Sequence, residues 1–212
     1  MTEASPTTPR RWFRFSLSAL LIVLAVVAAL SAWIAKERQQ SAYEQHLAEE
    51  LEAKGYNVSL DGPYASWETY VDQKPQGWWR DLARSVLGQR IISVQLFLVE
   101  GGDLSPLVGL SNLQSLDVMQ VDVSDITPLA GLTTLQYLEL VATKVTDITP
   151  LANLHNLKEL DLMRTPVSDL TALTGLLNLE SLNVEGTEST KEQVEAVQKA
   201  LPNCQIKHRP FR

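Results

Sequence analysis

Cysteine is almost absent from this chain, since Cys204 is the only one among 212 residues. An intramolecular disulfide is therefore impossible, and the sequence has neither a CxxC pair nor a zinc-binding spacing. Histidine is scarce as well, and no Gly-rich phosphate loop, GxSxG or HExxH motif occurs. Catalysis needs a nucleophile with a base, or a metal with its ligands. We therefore expect a protein that is not an enzyme and that binds neither a cofactor nor a metal.

Basic residues are too few to form a cationic surface. The formal net charge is -7, with 25 acidic and 18 basic residues, and the excess of acidic residues lies in residues 91–212. An acidic surface repels phosphate backbones, and no basic stripe runs through the sequence. We therefore do not expect nucleic acid to be a partner.

One long run of the chain, residues 16–35, lacks any charge. A helix of that length spans roughly 30 Å, which matches the hydrocarbon core of a bilayer. Arg10, Arg11 and Arg14 precede it, so the positive-inside rule places residues 1–15 in the cytoplasm. We predict a transmembrane signal-anchor over 16–35, with the remainder in the periplasm or at the cell surface.

Two alternatives to this membrane topology stay open. Ala29, Leu30 and Ser31 supply small residues at the spacing of a signal-peptide cleavage site. Cleavage there would also export the remainder of the chain. Lys36 and Arg38 follow the apolar run and weaken the charge asymmetry, which leaves a cytoplasmic C-terminal domain as the other alternative.

The second half of the chain is repetitive. VSDITPLAGL at 123–132 returns as VTDITPLANL at 145–154, which indicates a period of 22. Five segments align at this period, with first positions at Ile91, Leu113, Leu135, Leu157 and Leu179. Apolar residues recur at positions four and six, so each segment reads LxxLxL. One repeat cannot bury its own leucines, so we expect residues 91–189 to stack into a solenoid, one short strand per coil.

The phrase LxxLxL followed by V[ST]D[IL]TPLxxL resembles the leucine-rich repeats, and in particular the 22-residue repeats of bacterial internalins. The resemblance implies an α/β fold: a curved parallel sheet with short helical or irregular return legs, closed by N- and C-terminal caps. It also implies an exported or membrane-anchored protein of the bacterial cell envelope. The family commonly has Asn at position nine, bonding across coils, whereas this chain has Val or Thr there. We therefore expect looser hydrogen bonding in the first two coils, which have Val99 and Val121.

The return legs carry a repeated turn signal. Ser105-Pro106, Thr127-Pro128 and Thr149-Pro150 predict an N-cap followed by the first residue of a short helix. The aligned column Asp103, Asp125, Asp147 and Asp169 lies just before these turns. A stack of carboxylates suggests calcium, but each coil supplies only one, so capping of the turn is the favoured interpretation.

Both ends of a solenoid need caps. At the N-terminal end, residues 36–90 predict a helical cap or linker: a helix over 36–54 with Tyr43, Leu47 and Leu51 on one face, ended by Gly55, then a strand over 56–60 and a second helix over 78–88. At the other end, residues 190–212 predict a capping helix, an edge strand at 204–208 and a tail.

The N-terminal cap includes an aromatic segment, residues 61–79, with Trp67, Tyr70, Trp78 and Trp79. We favour packing of these rings within the cap. Carbohydrate binding on the same rings is an alternative.

Recognition is the function that the repeats favour. Alternation along each strand places positions three, five and seven on the concave face of the sheet. The candidate partner-binding residues are Gln95, Phe97, Asp117, Met119, Tyr137, Glu139, Val141, Glu159, Asp161 and Met163. An acidic row beside an apolar, methionine-bearing row favours a protein or peptide with basic and apolar features. The alternative is a structural or self-associating envelope protein without a specific ligand.

Overall fold

The protein is known here from a computed structural model, which describes residues 17–60, 91–97 and 102–209. The predictions for the cytoplasmic N-terminus, the aromatic segment 61–79, the helix over 78–88 and Val99 lie outside these residues. Within the described part, seven strands form one sheet in chain order. They are β1 Asn57–Leu60, β2 Ile91–Phe97, β3 Ser115–Met119, β4 Tyr137–Val141, β5 Glu159–Asp161, β6 Ser181–Asn183 and β7 Gln205–Lys207.

The expected solenoid is confirmed by the direction and register of these strands. Strands β2 to β7 are parallel, and β1 pairs antiparallel with β2. Leu116 on β3 lies beside Leu138 on β4, which lies beside Leu160 on β5. Each partner lies one repeat further along the chain, so the aligned columns of the sequence are physical rows across the sheet.

The core runs the length of the solenoid behind the sheet. Positions four and six of the repeat strands are buried throughout. These residues are Val94, Leu96, Leu116, Val118, Leu138, Leu140, Leu160, Leu162, Leu182 and Val184. Apolar residues of the return legs close the core from the other side, and one cluster extends from Leu47 to Cys204.

Each return leg contains a short 3-10 helix, as the turn signal predicts. The four are Ser105–Leu107, Thr127–Gly131, Thr149–Asn153 and Thr171–Gly175. The predicted N-cap role of Ser and Thr is wrong, because these residues are the first of each helix and the preceding residue makes no side-chain cap.

The aspartate column caps the turns instead. At each of its four positions the Asp Oδ1 accepts a hydrogen bond of 2.8 Å from the backbone N–H two residues on, as from Thr127 to Asp125. Hydrogen bonds from that Ser or Thr, through the backbone and the hydroxyl together, lower the pKa of each carboxyl group. Among the described residues no group of three or more metal-binding side chains is assembled.

Hydrogen bonds between coils do not come from position nine. The hydroxyls of Thr143 and Thr165 donate within their own coil, to the carbonyls of Leu140 and Leu162. Side chains at position 22 bridge coils: Asn156 Nδ2 donates to the Thr133 carbonyl, and Asn178 Nδ2 to the His155 carbonyl, both at 2.7 Å. Thr134 likewise bonds to the carbonyls of Ser111 and Leu113.

Position eight is left-handed in the four segments that begin at Leu113, Leu135, Leu157 and Leu179. Gln120, Ala142 and Arg164 have φ of 55°, 53° and 57°, and Gly186 has φ of 70°. Each still donates its N–H to the next coil, as Ala142 does to the Met163 carbonyl at 2.8 Å. The turn therefore keeps one more hydrogen bond between coils at the expense of backbone strain wherever the residue is not glycine.

We expect Ala142→Gly to raise the free energy of unfolding by about 0.5–1 kcal/mol. Relief of left-handed strain is worth about 1–2 kcal/mol, and the added freedom of the unfolded chain removes about 0.4–1 kcal/mol. Gly186→Ala should act in the opposite direction by a similar amount, about 0.5–1 kcal/mol, because the same two effects then act with reversed sign. Urea denaturation measures both. A loss of stability in Ala142→Gly would contradict the assigned backbone conformation.

The N-terminal helix α1, Leu17–Ala53, is continuous over 37 residues, whereas two separate segments were expected from the sequence. Its buried face is Glu44, Leu47, Ala48 and Leu51, and Tyr43 is 54% exposed, so Tyr43 was wrongly placed on this face. Glu44 lies on the buried face in place of Tyr43, because its Oε2 accepts a 2.8 Å hydrogen bond from the Ile91 N–H at the start of β2.

Gly55, which has φ of 88°, caps the C-terminus of helix α1 as predicted. The N–H of Tyr56 reaches the Leu51 carbonyl and that of Gly55 reaches the Glu52 carbonyl, both at 3.0 Å. This pair of bonds is a Schellman motif, and it turns the chain directly into β1. Within the described residues, no helix combines the length and the apolar character that crossing a bilayer requires.

The C-terminal end closes with helix α2, Lys191–Ala200. Thr190 caps it in a capping box with Gln193, so two N-terminal backbone donors are satisfied by side chains. Val197 and Leu201 are buried against the last coil, and Cys204 is buried just before β7. Strand β7 then pairs in parallel with β6.

Candidate recognition surface

An acidic row lies at the centre of the concave face. It consists of Asp117, Glu139 and Asp161, which occupy position five of β3, β4 and β5 and are direct neighbours in the register. All three side chains are half-buried. Neighbouring strands lie about 4.8 Å apart, so three carboxylates are held close together in an environment that is only partly hydrated.

The two outer carboxylates of the acidic row accept hydrogen bonds from amides. Gln95 Nε2 donates to Asp117 Oδ2 at 3.0 Å, and Asn183 Nδ2 donates to Asp161 Oδ2 at 2.9 Å. Asn57 on β1 in turn donates to Gln95 Oε1. The amides therefore stabilise negative charge at both ends of the row, which increases the electrostatic repulsion on the residue between them.

That central residue, Glu139, has a strongly perturbed ionisation. Burial, together with the negative charges of Asp117, Asp161 and Glu159, raises the pKa of its carboxyl group to about 7. Near neutral pH the carboxyl is therefore divided between its protonated and ionised forms. A cation placed beside it would shift that balance toward the ionised form.

A depression of 140 Å³ opens beside the acidic row. Its lining includes Ser115, Tyr137, Glu159 and Lys207 as well as members of the row. Ser115 is fully buried, and its Oγ has no hydrogen-bond partner within the described residues. This hydroxyl and Lys207 were missed by the sequence reasoning, whereas the repeat alignment puts Asn183 at position five of the concave face although it was not among the candidate residues. Lys207 pairs with Asn183 but lies beyond the last full repeat, so the repeat alignment did not place it in the row.

The apolar row beside the acidic row is less continuous than its sequence predicts. Phe97 is 57% exposed, and Met119 and Met163 are half-buried. Val141 is only 6% exposed, so its predicted place on the binding surface is wrong. This side chain lies beside Met119 in the register and is buried in the sheet. Glu159, at position three, is exposed next to the depression.

Comparison with known proteins supports the repeat fold described above. A family model described as "Leucine Rich repeats (2 copies)" matches residues 133–175. No curated protein matches the chain. Residues 133–175 therefore match leucine-rich repeats, and the matched segment contains the middle of the acidic row.

Solved structures of similar fold come from bacteria and plants. Internalin C2 of Listeria monocytogenes is 34% identical, with a TM-score of 0.53, over 56% of this chain and 52% of that one. Internalin F of the same organism is 25% identical, with a TM-score of 0.51, over 56% of this chain and 36% of that one. The present chain thus spans about half the length of internalin C2 and about a third of internalin F.

A third structure shows the same fold alone. The ectodomain of the receptor kinase SOBIR1 from Arabidopsis thaliana is 15% identical, with a TM-score of 0.52, over 79% of this chain and 91% of that one. Solenoids of this kind present extended concave surfaces as binding scaffolds.

Proposed function

We propose that the protein recognises another protein or a peptide through the concave face of its repeats. The observation that carries this proposal is the acidic row, in which three half-buried carboxylates lie side by side on the open face of a curved sheet. Like charges directly opposite each other in a sheet are unfavourable, by up to about 1 kcal/mol per pair. A partner that brings positive charge removes this repulsion on binding.

The size of the face suits a small epitope. Six parallel strands, β2 to β7, are about 4.8 Å apart and make a surface roughly 24 Å wide. Phe97 and the two methionines of the apolar row supply exposed or half-buried apolar surface next to the acids. A short segment with alternating basic and apolar side chains fits this pattern.

We also propose that residues 16–35 hold the repeats at a membrane, outside the cytoplasm. This stretch carries no charge. In the structure Leu21, Ile22, Leu24 and Leu30 are all more than half exposed, so that part of α1 presents apolar surface. Contact with lipid would remove this apolar surface from water.

The test is photo-crosslinking in intact cells with a photoreactive residue in place of Met119. Ser111, exposed on a return leg, is the matched control position. A defined protein adduct from position 119 and none from position 111 is the expected result, and Met119→Asp should abolish capture of the same partner. Fractionation of these cells should find the protein in the membrane pellet, and deletion of 16–35 should release it.

The structural alternative gives a different outcome. A scaffold without a ligand gives no adduct at position 119, or gives only adducts with a second copy of this chain. Either result, obtained with folded protein, would overturn recognition of a separate partner.

A further inference from the structure

We infer that the depression beside the acidic row is a pocket for one arginine side chain of the protein partner. The inference rests on the proposed function, because the arginine is presented by the partner that the concave face binds. It goes further by assigning the chemical group, its place on the face and the residues that hold it.

The dimensions of the depression fit one side-chain head. Its volume of 140 Å³ equals about four to five water molecules at liquid density. A guanidinium and part of its stem are of this size, whereas a helix is too wide to enter it. Strands β3 to β7 all contribute residues, so the pocket is built by the stack of coils rather than by one loop.

The lining of the depression is strongly negative. Asp117, Glu139, Glu159 and Asp161 face it from three adjacent strands, and Lys207 on β7 adds one positive charge to the lining. Asp117 and Asp161 already accept hydrogen bonds from side-chain amides. Glu139 makes no hydrogen bond to the described residues, so its carboxylate remains available to accept one from a ligand.

Ser115 points to a ligand independently of the charges. Its side chain is fully buried, lines the depression and has an Oγ without a hydrogen-bond partner among the described residues. A buried hydroxyl in this condition is unfavourable, and buried polar atoms in native proteins are usually paired. A donor on a ligand inside the depression would satisfy this oxygen, since serine Oγ accepts as well as donates.

Guanidinium matches this set better than other cations do. It carries five N–H donors in a plane and can bind a carboxylate through two parallel hydrogen bonds. One guanidinium can therefore reach acceptors on several strands at once. Tyr137 also lines the depression, and guanidinium stacks on aromatic rings. A metal ion is disfavoured, because the described residues assemble no metal-binding group. An ammonium offers only three donors in a compact head.

The experiment titrates the full-length protein in detergent micelles with N-acetyl-arginine amide. N-acetyl-citrulline amide is the uncharged counterpart of nearly equal shape, and N-acetyl-lysine amide tests the ammonium. Carboxyl NMR of Glu139 reports binding at the site. We expect the arginine probe to bind at least tenfold more tightly than citrulline and more tightly than lysine, and its saturation to lower the pKa of Glu139.

Two variants and one control locate the binding. Glu139→Gln and Ser115→Ala, followed through the Tyr137 and Asp161 resonances, should each weaken the arginine probe ~tenfold. Both should leave the protein folded, because neither removes a native hydrogen bond or core volume. Glu188→Gln removes one exposed acid that does not line the depression, and its affinity should match that of the unchanged protein.

Several results would overturn the inference. These are no binding of the arginine probe, equal binding of citrulline, tighter binding of lysine, or unchanged affinity in both Glu139→Gln and Ser115→Ala. If a partner is crosslinked at position 119 while the arginine probe fails, the pocket is wrong and recognition stands. If the probe binds as expected and no partner is crosslinked, the guanidinium site stands, but its assignment to an arginine of a protein partner fails together with the proposed function.

Discussion

Replacing Leu140 by alanine is expected to lower the free energy of unfolding by about 2–5 kcal/mol. Leu140 occupies position six of β4, in the middle of the solenoid, and is 0% exposed. Its neighbour in the register is Val118 on β3. Coils before and after it pack on the same core, so neither side relaxes easily into the cavity. Because each coil contacts only its neighbours, the loss also uncouples the first coils from the last ones.

The same substitution at Leu177 is the matched control. Leu177 is also in the repeats but is 79% exposed on a return leg, and Leu177→Ala should change stability by less than about 0.5 kcal/mol. Urea denaturation monitored by circular dichroism measures both variants. Equal effects of the two substitutions would show that Leu140 is not in the core and that the register is misassigned.

Glu139→Gln is expected to stabilise the unliganded protein at pH 8, by about 1–2 kcal/mol after solvent screening is taken into account. The ordinary pKa of 4.5 rises to about 7 in the folded state. Taken in full, such a shift corresponds to about 3 kcal/mol, and the half-exposed position of the side chain reduces it. Glutamine keeps the shape and removes the charge, so the variant keeps the packing and loses the repulsion.

The pH dependence gives this prediction a definite sign. Between pH 4.5 and about 7 the folded state holds a proton on Glu139 that the unfolded state has released. Stability therefore falls as pH rises through this window, and it is higher near pH 5 than at pH 8. Thermal melting from pH 5 to 8 should show this decline in the unchanged protein and a flatter profile in Glu139→Gln. A decline that persists unchanged in the variant would assign it to another group.

The aspartates of the turns act in the opposite direction and at lower pH. Hydrogen bonding lowers the pKa of Asp103, Asp125, Asp147 and Asp169 below the ordinary value of 3.8. Their contribution is present above that value and is lost as pH falls through the folded pKa. The two effects therefore lie in separate windows and are distinguished by the same melting series.

Much of the solenoid could be predicted from the sequence because its physics is local and periodic. Alternation of apolar and polar residues decides which side chains enter the core, and the repeat decides which coil neighbours which. Leu116, Leu138 and Leu160 were placed in one buried row on these grounds, and the register places them there. The acidic row follows from the same alignment, one position further along each strand.

The remaining features depend on contacts that no local pattern contains. Glu44 reads as a solvent-facing residue of an acidic helix, yet the N–H of Ile91 donates to its carboxylate and makes it part of the buried face. Thr143 stands at position nine, where the related repeats have an Asn that bonds across coils, but its hydroxyl donates to the carbonyl three residues back in its own coil. Ser115 is a small residue in a variable column, and only the assembled coils enclose its hydroxyl.

The antiparallel direction of β1 has a consequence for growth of the sheet. A stack of parallel coils is an open template, on which a second molecule adds its first coil to the last coil of another and so begins a fibre. Here β1 occupies the first edge in the reverse direction. The opposite edge is β7, a strand of three residues with the exposed Lys207 at its end. Both edges thus discourage head-to-tail polymerisation, and the solenoid keeps a fixed length.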